Sequence, residues 1–346
     1  MATRVVAVIV VVGGLVAAAC GDGSEPSGGP APDEGKKVVM AAAGDIGLEG
    51  DGVATLEAVA EAKPAVFLVL GDLSYAGPDS EQGWCRLVAE RLEGTPVQLV
   101  AGNHEDDNGK DGSIGEFAAC LPDRMRSTGR YGSEYHFDVE GLARVIMISP
   151  DLTIGGEHFD YDEGNERVRW LERAIDEARS ARLPWVVVGM HKNCLTVGNY
   201  RCSVDEELLH VLTAKKVDLV LHAHDHSYQR SHQLALGEGC LRVEPDSFER
   251  RCVADDGSDG TYPKGKGPVF VVSGAGGSNL YEMKPQDPEA GYFVTWMGAN
   301  VKPRKGFLRL TVTRERLEGE FVGTTDTSDY SDRFAVVGVP GPSGRR

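Results

Sequence analysis

The chain predicts a mixed α/β fold, on three observations. Seven short apolar runs read as buried strands. Stretches between some of them space their apolar residues three and four apart, the helical period. The C-terminal segment alternates apolar and polar residues more strictly, as hairpin strands do. Near-continuous apolar strands interleaved with helices need a sheet covered on both faces. A sheet that finishes in hairpins is mixed.

In chain order, the strand candidates are VVMAAAG (38–44), AVFLVLG (65–71), VQLVAG (97–102), RVIMIS (144–149), WVVVGM (185–190), VDLVLH (217–222) and PVFVVSG (268–274). The helical patterns are DGVATLEAVAEAK (51–63), ERVRWLERAIDEARSA (166–181) and VDEELLHVLTAKK (204–216). The last carries its acids early and its lysines late, as the helix dipole prefers. FLRLTVTRERLEGEFVGT (307–324) reads as a hairpin, and SDRFAVVG (331–338) as a further strand. With no internal repeat and no long break, residues 37–340 form one expected domain.

The N-terminus reads as targeting rather than fold. MATRVVAVIVVVGGLVAAAC has an early positive charge at Arg4, an apolar run from Val5, then small residues up to Cys20. That is a secretory signal peptide over 1–19, too short and wrongly flanked for an ordinary membrane span. Ala17, Ala18 and Ala19 before Cys20 resemble a bacterial lipoprotein cleavage site, so Cys20 is the expected lipid attachment point. The polar Gly/Ser/Pro-rich stretch over 20–36 reads as a flexible tether to the cell envelope. The membrane is then a partner only through that anchor. A plain cleaved signal, with free secretion, is the alternative.

The remaining six cysteines are an even number in an exported, oxidising setting. Nearness in sequence favours Cys194–Cys202 and Cys240–Cys252, which leaves Cys85–Cys120; six cysteines allow 15 connectivities. No CxxC pair favours metal binding by thiolates. The 346 residues, 41% hydrophobic and 26% charged, suffice for a large core. The net charge of −17 repels phosphate backbones, which argues against a nucleic-acid partner. Small anionic substrates stay open, because metals in a cleft can reverse the field locally.

Five of the apolar runs stop at a ligand-type residue. They run into GDIG with Asp45, GDLSY with Asp72 and Tyr75, GNHE with Asn103 and His104, VGMH with His191, and HAHDHSYQR with His224 and His226. In open α/β sheets, ligands gather at the carboxyl ends of strands. The glycines before Asp45, Asp72 and Asn103 allow a sharp turn or a close approach. Each dipeptide alone is a common turn former. The ordered set of five is the informative feature.

GD-x-G, GD-xx-Y, GNH-E, V-xx-H and H-x-H-x-Y-x-R, in this order, resemble the calcineurin-like metallophosphoesterase superfamily, and within it the purple acid phosphatase branch. The resemblance implies a four-layer β-sandwich of two mixed sheets flanked by helices, with two metal ions at the strand ends. It implies that Asp45, Tyr75 and His226 bind the first ion, that Asn103, His191 and His224 bind the second, and that Asp72 bridges both. His104 would face substrate and protonate the leaving oxygen, a task suited to imidazole near neutral pH. The residue types fit these roles. Only a carboxylate offers two anionic oxygens to a bridge. Imidazoles and an amide oxygen suit Zn, Mn or Fe(II) at the second site. A phenol ionises only near pH ~10, so Tyr75 points to a strongly acidic ion, Fe(III), at the first. The reaction implied is hydrolysis of phosphate monoesters by metal-bound hydroxide.

The sequence departs from the family pattern in places. Many relatives carry a His two residues after the first Asp, where Gly47 stands here, and the usual Gly before the H-x-H motif is Ala223. The segment KNCLTVGNYRC (192–202) lacks the phosphate-contacting histidines of some purple acid phosphatases. Asn199, Tyr200 and Arg201 are the substrate-binding stand-ins. His222 is expected to be a buried hydrogen-bonding neighbour of the H-x-H pair. GAGGSNLY (274–281) has no Walker lysine and reads as a tight loop. Two other functions compete: a phosphodiesterase or nucleotidase with the same metal core, and a silent metal-binding surface protein.

Overall fold

The computed structural model describes residues 35–77 and 79–338. The expected signal peptide, Cys20 and nearly all of the tether lie outside the described residues.

All seven apolar runs contribute strands. In the first sheet, Val38–Ala43, Val66–Val69 and Val97–Leu99 run parallel, in that order. On the other side of Val38–Ala43, Gly306–Val312 pairs antiparallel and continues into Arg316–Gly323, Arg333–Val337 and Thr261–Pro263. The second sheet centres on Ala143–Met147, Trp185–Gly189, Leu219–His222 and Val269–Ser273, all parallel. The antiparallel Glu134–Val139 and Tyr228–Leu234 flank this parallel block. Both sheets are therefore mixed, as the hairpin tail implies for the first.

The alternation of strand side chains divides the core. Met40, Ala42, Val66 and Leu68 face Val145, Val187, Leu221 and Val271 between the two sheets. Ala41, Ala43, Phe67 and Val69 point the other way, into the packing that includes Leu56, Val59, Trp84 and Val88 of two helices. The helices Asp51–Ala62 and Glu81–Leu92 cover the first sheet, and Glu166–Ser180 lies against the second, so the layers run helix, sheet, sheet, helix.

The helices expected over 51–63, 166–181 and 204–216 form as Asp51–Ala62, Glu166–Ser180 and Glu206–Ala214. Two more, Glu81–Leu92 and Ile114–Cys120, escape the periodicity reading. The apolar residues the first buries form only a narrow stripe, Trp84, Cys85, Val88 and Leu92, among charged residues. The second has just seven residues. Disulfides join Cys85 to Cys120, Cys194 to Cys202 and Cys240 to Cys252. The first of them links these two helices.

Candidate metal centre

The parallel strands deliver their C-terminal ends to one place. Val38–Ala43 leads into Asp45, Val66–Val69 into Asp72 and Tyr75, and Val97–Leu99 into Asn103 and His104. From the facing sheet, Trp185–Gly189 leads into His191, and Leu219–His222 into His224 and His226. The two sheets thus meet at the site with one strand-end loop after another.

Close approach, more than turning, explains two of the three glycines. A Cβ on Gly102 would fall 2.1 Å from Asp72 Oδ1, and one on Gly44 would fall 2.4 Å from Ala223 Cβ. The methyl of Ala223 therefore fills space that Gly44 leaves open. Several of the chain's left-handed torsions fall on the candidate site residues themselves. Asp45, Asp72, Tyr75 and His224 all adopt left-handed backbone, with φ of 57°, 50°, 50° and 67°. Such torsions cost free energy in residues with a Cβ and cluster at functional sites.

The donor atoms form two groups that share Asp72. In one, Tyr75 Oη lies 2.8 Å from Asp45 Oδ1, 3.0 Å from Asp72 Oδ2 and 2.9 Å from His226 Nε2. In the other, His191 Nε2 lies 3.1 Å from Asn103 Oδ1, 3.1 Å from His224 Nδ1 and 3.3 Å from Asp72 Oδ2. Asp72, His191 and His224 are all buried.

The second atom of each of four groups is tied to backbone. His191 Nδ1 donates to the Leu70 carbonyl at 2.8 Å, and His226 Nδ1 to the Asn279 carbonyl at 2.8 Å. Asp45 Oδ2 accepts from His224 N, and Asp72 Oδ1 from His104 N, each at 3.0 Å. A carbonyl only accepts, so both Nδ1 atoms carry a proton, and in the neutral form each imidazole turns an Nε2 lone pair inward. Lone pairs then outnumber protons at the centre. Tyr75 has one proton for three acceptors, and in the second group only the Nδ1–H tautomer of His224 places one among His191 Nε2, Asn103 Oδ1 and Asp72 Oδ2. Cations are what such a surplus fits.

The titration directions agree. Burial, then Asp45 and Asp72, hold the Tyr75 phenol far above its ordinary value. Burial pulls His191 down, but Asp72 outweighs it and the net pushes the imidazole up to about 9. Asp72 is raised by burial but held below the usual carboxylate range by His191 and His104.

His104 is a third exposed at its side chain, and its Nε2 stands 3.7 Å from Asp72 Oδ2. Its Nδ1 is hydrogen-bonded to the Asp111 carboxylate. Asp111 also accepts from Gly77 N at 2.6 Å. The sequence reading missed Asp111, which sits seven residues beyond His104 in a loop without pattern. It missed Glu105 as well, although Glu105 is the last letter of the GNHE motif. That buried carboxylate accepts from Asp72 N at 3.0 Å, Leu73 N at 2.7 Å and Gly102 N at 3.0 Å, so it laces two ligand loops together.

Of the substrate-side candidates, Tyr200 lies at the centre, its ring flat against His224. Asn199 is exposed, and its backbone N–H donates to Asp225. Arg201 points outward, 3.7 Å from Asp246. His222 is buried outside both donor groups, near Phe270, with its Nδ1 unpartnered. Burial and His191 push its imidazole down to about 3, so it stays neutral. An open cleft of about 620 Å³ borders Tyr75 and His226 and continues past Ile46, Leu48, Glu49 and Tyr281.

A family model described as calcineurin-like phosphoesterase matches residues 40–228, more than half the chain. An uncharacterised protein of Mycobacterium tuberculosis is 30% identical over 248 residues, 66% of this chain and 45% of that protein. Purple acid phosphatase 18 of Arabidopsis thaliana is 27% identical over 212 residues, 58% of this chain and 46% of its own. The chain thus spans about half the length of the curated relatives it matches. A purple acid phosphatase from yellow lupin (Lupinus luteus) seeds shares the fold, with a TM-score of 0.65 at 18% identity over 88% of this chain and 54% of that one.

Proposed function

The chain belongs to the calcineurin-like phosphoesterase family, and on that premise we propose that it is an exported dinuclear-metal phosphatase that hydrolyses phosphate monoesters, in the manner of purple acid phosphatases. The observation that carries this reading is the double cluster of inward lone pairs around Asp72 Oδ2. Asp45, Tyr75 and His226 would hold one ion and Asn103, His191 and His224 the other, with Asp72 shared between the two sets. Tyr75 suits Fe(III), and the second set suits Zn, Mn or Fe(II). When bound, the two ions supply Lewis acidity toward the phosphoryl oxygens and lower the pKa of water.

The chain's own residues do the rest. His104 turns Nε2 over the centre and gives its proton to the leaving oxygen. Asp111, on Nδ1, fixes the ring and supports the imidazolium before that transfer. Glu105 keeps the Asp72 and Asn103 loops in register. The open cleft takes the organic part of the ester. Three disulfides support an extracytoplasmic setting, with Cys20 as the lipid anchor.

The test is a purified, full-length protein. We expect two metal ions per chain, visible absorption from the Tyr75 phenolate on Fe(III), and phosphate release from an aryl phosphate far faster than from its diester. A colourless protein with two zinc ions sinks the iron assignment. Faster release from the diester turns the reading to a phosphodiesterase. Ions without turnover leave a metal-binding surface protein.

A further inference from the structure

Two tyrosines outside the proposed ligand set lie flat on its two paired histidines. Tyr200 stacks on His224 with ring centroids 3.7 Å apart and planes 16° apart. Tyr281 stacks on His226 at 4.0 Å and 11°. The tyrosines meet each other edge to face at 5.9 Å. Each is only half-buried.

Both tyrosines are tied to the turn that carries the histidines. Asp225, between His224 and His226 and fully buried, accepts from Asn199 N at 2.6 Å and Tyr200 N at 3.3 Å. It also accepts from Asn193 Nδ2 at 3.1 Å and Thr196 Oγ1 at 2.5 Å. Tyr281 N donates to the His226 carbonyl at 3.0 Å. The turn thus holds the backbone of each tyrosine, and each tyrosine covers one histidine of the turn.

We propose that Tyr200 and Tyr281 are positioning residues for the metal centre: an aromatic bracket that sets the imidazole planes of His224 and His226, one tyrosine for each ion. The proposal rests on the two-ion reading above. An imidazole lone pair lies in the ring plane, so a flat neighbour on the ring face fixes its aim without blocking it. An imidazole bound to a cation carries positive charge, and the electron-rich face of a phenol favours that form over the free one. The bracket therefore strengthens ion binding rather than only filling space.

The test is zinc affinity of the full-length apoprotein, measured by competition with a chelator. Tyr200→Leu and Tyr281→Leu keep apolar bulk but lose the flat ring. Each is expected to weaken one of the two ions by about tenfold, the lower end for groups that orient ligands. Tyr200→Phe and Tyr281→Phe keep the ring and are expected to stay within about twofold of wild type, since stacking does not need the hydroxyl. A His226→Ala background isolates the second site. There Tyr200→Leu should weaken the remaining ion, and Tyr281→Leu should not. Wild-type affinity in both Leu variants overturns the bracket, and so does equal loss in the Phe variants. Circular dichroism separates any unfolded variant, and the Phe pair then decides alone. If the wild type itself binds no ions, the metal reading fails first.

Discussion

The floor of the site and its rim are built on different principles. The floor consists of strand-end residues whose second atoms are fastened to backbone: His191 to Leu70, His226 to Asn279, Asp45 to His224 and Asp72 to His104. The rim is made of two loops. Side chains hold 193–202, through the Asp225 carboxylate and the Cys194–Cys202 disulfide, while backbone bonds to Gly44, Asp45 and His226 hold 275–281, and each loop lays one tyrosine on a histidine. The floor inherits its rigidity from two sheets. The Tyr200 loop of the rim relies on side chains. Changes in the floor should therefore act on the ions directly, and changes in the rim on the loops, reaching the ions only through the two tyrosine stacks.

The harshest way to break this contrast is Asp72→Ala. It should empty both sites and abolish phosphate release, read by metal analysis and assay; retention of two ions would falsify the shared role. His104→Ala should lower kcat by about 10²–10⁴ yet leave the ion content intact, because the floor does not depend on it. Glu105→Gln keeps the size but replaces one acceptor oxygen by a donor facing backbone N–H groups. Ion affinity should fall by about 10–100-fold, measured by chelator competition. Loss of the Cys194–Cys202 pair in a double serine variant should have the smallest effect on chemistry. Thermal melting should show about 2 kcal/mol of lost stability, with both ions retained. Loss of an ion in that variant would mean that floor and rim are less separate than the hydrogen bonds indicate.

The same contrast explains what could be read from the chain. Every floor residue follows an apolar run, so strand, sharp turn and ligand-type side chain announce themselves together. His222 sits at the end of its strand with the same spacing as His224 and His226; the H-x-H pattern leaves it out, and the structure buries it outside both donor groups. Rim residues carry no such pattern. Tyr281 lies in a glycine-rich loop readable only as a turn. Asp225 looks like a spacer in H-D-H, yet it anchors the Tyr200 loop. Asp111 reaches His104 from a stretch with no periodicity. Long-range side-chain hydrogen bonds leave no periodic trace, so this part of the site had to be seen rather than inferred. Helix Glu81–Leu92 was missed for a related reason: its four buried apolar residues are too few to outweigh its charges.

The left-handed backbone at Asp45, Asp72, Tyr75 and His224 has a consequence for engineering. Glycine enters that region without steric penalty, and relief of each strained torsion is worth on the order of 1–3 kcal/mol. A search for heat-resistant variants scored on folding alone would therefore be drawn to glycine at four places where the proposed chemistry requires a side chain. The sturdiest winners of such a search would be inert, and a selection meant to preserve the enzyme has to score the bound metal alongside the melting temperature.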